Sequence, residues 1–260
     1  MNANNTPVLG FKTWRRRRIL ERIRIAESSW QEAFSRWPAL RGLSADETVR
    51  LRELSALFLH EKVIESGGGL VLDEEMRVTI AVQACLPILN LGLDWYEGWV
   101  SVIVYPAGFI PVHEYSDDAG VVHRARHALS GESWLRGPVI LSWSDAVSVH
   151  GNSGHNVVIH EFAHKLDMLD GVANGLPPLH RNMSVKAWAS AFSQAFADFQ
   201  ARLDRGEQPA IDPYGAENPG EFFAVVSELF FEQPAIIEGI YPAVYRQLAD
   251  FYRQDPGARH

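Results

Sequence analysis

The sequence predicts an α+β domain, and three observations carry that prediction. β-Branched and aromatic residues crowd two short runs in the middle third, Trp99-Val100-Ser101-Val102-Ile103-Val104-Tyr105 and Pro138-Val139-Ile140-Leu141-Ser142-Trp143, which read as strands. The chain beyond the second run is patterned mostly for helix, with apolar residues recurring at three- and four-residue spacing. At 260 residues and 47% hydrophobic composition the chain can bury one large core, and no internal repeat points to a solenoid.

Residues 1–42 are polar, basic and dotted with Trp14, Trp30 and Trp37, and with Pro38 and Gly42 as punctuation they read as a peripheral arm. This leaves residues 43–260 as the folded domain. The run Arg15-Arg16-Arg17-Arg18 resembles the start of an export signal, but the charges in Ile19-Leu20-Glu21-Arg22-Ile23-Arg24 interrupt the apolar region that such a signal requires. The arginines therefore read as a solvated face rather than a dock for an acidic partner. Ser44-Ala45-Asp46-Glu47 is a capping box, and Leu51, Leu54, Leu57 and Phe58 continue it as a helix. Gly67-Gly68-Gly69 breaks the chain; with no Lys-Ser or Lys-Thr after it, it is a loop and not a phosphate cradle. A second apolar helix, near Glu74 to Cys85, stops at Pro87. After the strands, Ser184 to Leu203 forms a helix with Trp188, Phe192, Phe196 and Phe199 as its buried stripe, ending before Gly206. Asn218-Pro219 opens another, and a last helix runs from about Pro242 to Gln254.

Composition excludes some functions. A formal charge of -8 and a pI near 5.7 argue against direct nucleic-acid binding, which calls for a basic balance. The single cysteine, Cys85, lies in an apolar run, so no internal disulfide and no cysteine-based zinc site can form. Inert core is the expectation for it, and a cytoplasmic location fits. The longest apolar stretches are too short to span a membrane.

The most informative stretch is Ile159-His160-Glu161-Phe162-Ala163-His164. On a helix this spacing places His160 and His164 on one face, one turn apart, where both can ligate one zinc ion while Glu161 reaches a water on the metal. The apolar neighbours Val157, Val158, Phe162, Ala163 and Leu166 make the helix largely buried, and buried imidazoles and carboxylates need partners. Strands before this helix and helices after it suggest a zincin-like domain, with a mixed sheet packed on the motif helix and a mostly helical C-terminal half. By analogy with zincins, the strand from Val139 to Trp143 is expected to receive an extended substrate as an added strand.

A catalytic zinc needs a third protein ligand and leaves its fourth position to water. Asp170 lies six residues beyond His164, but Asp167 stands where a glycine would be needed to turn the chain, so the helix is expected to continue and carry Asp170 out of reach. Glu221 and Glu228 share a face of the helix opened by Asn218-Pro219-Gly220. Taken alone, Glu221 reads as a capping residue, because Asn218-x-x-Glu221 is itself a capping-box arrangement. The need for a carboxylate on a later helix favours it as a ligand. His123 and His127 share the four-residue spacing of the motif but lack a glutamate and sit among arginines, so they read as a solvated helix or loop; His155 reads as a loop residue.

The strings His160-Glu161-Phe162-Ala163-His164-Lys165-Leu166-Asp167 and Ile211-Asp212-Pro213-Tyr214-Gly215-Ala216-Glu217-Asn218-Pro219-Gly220-Glu221, continuing to Glu228, resemble those of the Mlc titration factor A family. The similarity extends to Cys85-Leu86-Pro87-Ile88-Leu89 through Trp95, to Val104-Tyr105-Pro106 and to Gly137 through Trp143, and leaves the arginine-rich arm unexplained. The resemblance implies a cytoplasmic, gluzincin-like zinc peptidase related in its core to the anthrax lethal factor protease. It implies one zinc ion held by His160, His164 and Glu221, with Glu161 as general base and Tyr214 as stabiliser of the tetrahedral intermediate. Asp167, one turn past His164, is expected to hold an imidazole in its ligating tautomer. The implied substrate is a peptide or protein, with aminopeptidase-type cleavage linked to regulation of glucose uptake. The resemblance equally supports a regulator that sequesters a Mlc-like transcriptional repressor, with peptidase activity secondary.

Overall fold

The computed structural model describes residues 6–107, 113–116, 122–125, 131–133, 137–148 and 154–259. In chain order the elements are α1 (Thr6–Leu20), α2 (Glu27–Arg36), α3 (Ala45–Glu61), β1 (Val63–Ser66), α4 (Glu74–Cys85), β2 (Ser101–Tyr105), β3 (His113–Ser116), β4 (Val122–Ala125), β5 (Gly131–Ser133), β6 (Val139–Ser142), α5 (Trp143–Ala146), α6 (Val157–Asp167), α7 (Val185–Asp204), α8 (Pro219–Glu232), α9 (Pro234–Ile240) and α10 (Pro242–Tyr252). The class is α+β with helix dominant.

The sheet runs β1-β2-β6-β5, the first three strands parallel and β5 antiparallel to β6. Register pairs Val102 with Val139 and Val104 with Leu141, and all four side chains are fully buried on one face. Against that sheet, next to β5 and β6, lies α6. A hairpin of β3 and β4 stands apart and sets Glu114 across from Arg124. His123 therefore lies on a strand rather than a helix or loop, as the β-branched Val122 beside it favours. His127 falls outside the described residues.

Strand β6 has neighbours on both sides, so it cannot accept a further strand. The expectation that residues 139–143 take substrate as an added strand is corrected on that ground: among the described residues the edge next to α6 belongs to β5. Trp143 leaves the strand because Ser142 caps α5, its hydroxyl accepting from the Asp145 N–H at 3.4 Å.

The capping box at Ser44 forms as read, with both reciprocal bonds present. Asp73 caps α4, which ends at Cys85 as read. The segment expected to be a peripheral arm is built differently along its length. Helix α2 packs on α4, and Trp30, Ala33, Trp37 and Leu40 join the same core as the rest of the chain. Upstream, α1 keeps Arg15, Arg17 and Arg18 exposed, while Arg16 reaches Asp94 and Glu61.

Phe162 anchors the motif helix. It points away from the two histidines, as a residue two positions from each must, and its ring centroid lies 5.7, 5.1 and 5.6 Å from those of Phe58, Tyr96 and Trp99. Helix α8 is buried almost all round, from Phe222 to Phe231, with α6, α7, α9 and α10 packed about it. This makes α8 the axis of the C-terminal half. Its polar residues therefore need partners on neighbouring helices.

Candidate metal centre and active site

Helices α6 and α8 pack antiparallel, and α8 carries glutamates at positions 221, 228 and 232, spaced by seven and four residues along one stripe. Each meets a polar residue of α6 at its own level. Glu221 faces His160 and His164, Glu228 faces His160 and the start of α6, and Glu232 faces Asn156.

At the first level three donor atoms converge. His160 Nε2 and His164 Nε2 lie 3.0 and 3.2 Å from Glu221 Oε2 and 3.2 Å from each other. His160 Nδ1 sits 2.7 Å from Glu228 Oε1 and donates to it, which leaves Nε2 as the nitrogen that would turn its lone pair to a metal ion among the other two atoms. Donor atoms set this close call for positive charge among them, a proton or a metal ion. The edge of a tetrahedron around a zinc ion with 2.0–2.1 Å bonds is about 3.3 Å, so the observed triangle fits a metal ion with slight opening. Among the described residues, this is the one group of three or more such side chains that could hold a metal.

Electrostatics agree with a cation-seeking site. Burial alone would depress the His160 imidazolium, but hydrogen bonds to Glu221 and Glu228, with Glu161 nearby, hold it well above the ordinary histidine range. Burial likewise pushes the Glu221 carboxyl up; the bonds to His160 and His164 outweigh it and bring it down to about 2. Two imidazoles under three carboxylates attract positive charge.

Only half of the capping box read at Glu221 forms. Asn218 caps α8 by accepting from the Glu221 backbone N–H at 3.0 Å, which leaves the Glu221 carboxylate to meet the imidazoles. Glu228, the rival ligand candidate, lies one level further along and braces His160 through its other nitrogen. Helix α6 ends at Asp167 instead of continuing, yet Asp170, exposed on the 3-10 turn that follows, does not join the cluster.

Glu161 is 4% exposed and lies near enough to raise both the His160 imidazolium and the Tyr214 phenol. Tyr214 sits on the 3-10 turn Pro213–Ala216, which Asp212 caps and which packs on α8. Its ring centroid is 6.0 Å from that of His160, and burial together with Glu221, Glu217, Glu161 and Asp212 pushes its phenol up. His155 is a loop residue, 3.2 Å from the Asp212 carboxylate.

Asp167 differs from expectation. Its Oδ2 accepts from the Gly175 N–H at 2.7 Å, so it braces the loop after α6, and no hydrogen bond joins it to His164. Burial raises its carboxyl to about 6. Gly175 has φ of +77°, donates to Asp167, receives the Trp188 indole N–H at 2.8 Å, and lies so near Pro219 that a Cβ would stand 2.5 Å from the Pro219 carbonyl oxygen. That contact sets the N-terminus of α8 against the end of α6, and so places Glu221.

With this geometry in view, a scan against protein families matches residues 11–253 to the glucose-regulated metallo-peptidase M90 family. The chain belongs to that family. Mlc titration factor A of Yersinia pestis (strain Pestoides F) is 40% identical over 235 residues, covering 89% of this chain and 86% of that protein. The protein of the same name from Yersinia pseudotuberculosis serotype O:1b (strain IP 31758) is similar to the same extent, 40% over 235 residues. The M90 match begins within α1, so the likeness includes most of the stretch set aside as an arm.

Several residues around the candidate metal centre escaped the sequence reading. Asn156, the cap of α6, and Glu232 and Trp37 behind it carry no motif of their own. The one available signal was the glutamate stripe on an otherwise apolar helix, which announces that three carboxylates need partners.

Proposed function

We propose that this M90 family member is a zinc-dependent peptidase, with His160, His164 and Glu221 as the metal ligands. The observation that carries the reading is the convergence of three lone-pair donors, 3.0–3.2 Å apart, beside the buried Glu161. A zinc ion held there supplies Lewis acidity toward the scissile carbonyl and lowers the pKa of a water toward about 7.

The chain's own residues do the rest. Glu161 takes the proton from the attacking water and delivers it to the leaving amine. Tyr214, its phenol pushed up by burial and then by the surrounding carboxylates, donates to the oxygen on which charge develops. Glu228 keeps His160 in the tautomer whose Nε2 faces the metal. The outer edge of β5 supports an extended substrate backbone, since it is the antiparallel edge strand nearest α6.

Two measurements test this. Purified protein should hold about one zinc per chain; Glu221→Ala should lose most of it and Asp170→Ala should not. Glu161→Gln should retain zinc while turnover on peptides falls by roughly a hundredfold or more. Peptide hydrolysis near the parent rate by Glu161→Gln would remove it as the base.

A second reading rests on the name shared by the relatives, Mlc titration factor A. In it the chain binds and sequesters a Mlc-like repressor in the cytoplasm, and hydrolysis is secondary. Glu161→Gln separates the two: repressor binding that survives loss of turnover assigns the binding role to a surface independent of the chemistry.

A further inference from the structure

Asn156 joins three parts of the molecule. Its side-chain oxygen accepts from the Ile159 N–H at 2.9 Å and so caps α6; its backbone N–H donates to Glu228 Oε2 at 2.5 Å; its Nδ2 donates to Glu232 Oε1 at 2.8 Å. The same oxygen of Glu232 accepts the Trp37 indole N–H. Glu228 then has both oxygens committed, one to the start of α6 and one to His160 Nδ1. A line of hydrogen bonds thus runs from the N-terminal segment, through the last turn of α8 and the first of α6, to a side chain of the proposed metal centre.

The geometry of that line has a mechanical consequence. Where the Asn156 peptide N–H sits decides where the Glu228 carboxylate sits, and that decides the rotation of the His160 ring. Asn156 is in turn located by Glu232. We propose that Asn156 and Glu232 are positioning residues of the metal centre, acting on His160 through Glu228, and that Trp37 ties the N-terminal segment into the same line. The inference rests on the reading of His160 as a metal ligand.

Asn156→Asp is the discriminating change. Aspartate caps a helix as well as asparagine does and keeps the peptide N–H for Glu228, but it replaces the Nδ2 donor with an oxygen facing the Glu232 carboxylate. Adding Glu232→Gln restores a donor across that gap once its amide nitrogen takes the place of Oε1, at the cost of the bond from Trp37, which meets the same atom. Zinc affinity is read by chelator competition at pH 8, and geometry by the visible spectrum of the cobalt-loaded protein.

Asn156→Asp should bind zinc roughly tenfold to a hundredfold more weakly than the parent, with an altered cobalt spectrum. The double variant Asn156→Asp/Glu232→Gln should return to within about threefold, with the parent spectrum. A residue that only stabilises the fold would lower the melting temperature of the metal-free protein and leave affinity and spectrum alone; that result overturns the inference. So does a double variant that stays as weak as Asn156→Asp. Should Asn156→Asp not fold, Glu232→Met, which keeps volume and removes the acceptor, is read by the same two measurements against the same expectation. A parent that binds no zinc overturns the metal-centre reading itself, and is seen before any variant is made.

Discussion

A phenol can donate to a developing oxyanion only while it keeps its proton, and Tyr214 is ringed by groups that make it do so. Burial comes first, followed by Glu221, Glu217, Glu161 and Asp212, all of which push the phenol up. At 39% exposure it remains open to an incoming substrate. Tyr214→Phe removes one hydroxyl and little volume, so zinc content and melting temperature should hold. Steady-state kinetics should show kcat reduced on the order of ten- to a thousandfold with KM nearly unmoved, because the lost bond belongs to the transition state. An unchanged kcat strikes Tyr214 from the machinery. At this scale the sequence was readable where spacing alone decides geometry: four residues on a helix bring His160 and His164 together whatever surrounds them. It was less readable for Asp167, because whether a carboxylate turns toward His164 or toward the Gly175 N–H depends on a loop that spacing does not describe.

Among the elements, the placement of α8 depends on one residue without a side chain. Gly175 combines φ of +77° with a Cβ position 2.5 Å from a backbone oxygen, so Gly175→Ala must both strain its own backbone and push Pro219 away. The expected loss is about 1–3 kcal/mol, seen in urea unfolding, with weaker zinc binding because Glu221 stands two residues beyond Pro219. Parent-like unfolding and parent-like zinc affinity together would show that the loop can yield without moving α8. Elements with caps and long apolar stripes were readable from sequence: α4 and α7 to within a residue or two, and α3 at its start. The short strands β1 and β5 were not: at four and three residues they are too brief for alternation to show, and they exist because β2 and β6 offer edges to pair with. Helix α2 was missed for a related reason, since its polar composition hides the burial of Trp30 and Ala33 that packing on α4 brings about.

For the whole molecule, the buried carboxylate of Glu232 links stability to pH across the N-terminal segment, α6 and α8. Desolvation raises it to about 7, against the hydrogen bonds from Asn156 and Trp37, while Glu228 raises it further. A carboxyl whose folded pKa lies above its unfolded value of 4.5 binds its proton more tightly in the native state, so its ionisation opposes folding. That penalty is absent below pH 4.5, grows as pH rises toward 7 and is constant above. Glu232→Gln keeps an oxygen for both donors and has no charge to desolvate. The variant should therefore match the parent near pH 4 and exceed it at pH 8 by up to about 3 kcal/mol, the difference of the two pKa values at 1.36 kcal/mol each. Denaturant unfolding of both proteins at pH 4, 6 and 8, with a chelator present so that metal binding does not enter, gives the curve directly. A gap of constant size across that range would mean that Glu232 ionises normally in the fold. A gap that shrinks as pH rises would mean that its negative charge is stabilising, held by Asn156 and Trp37 more strongly than burial opposes it.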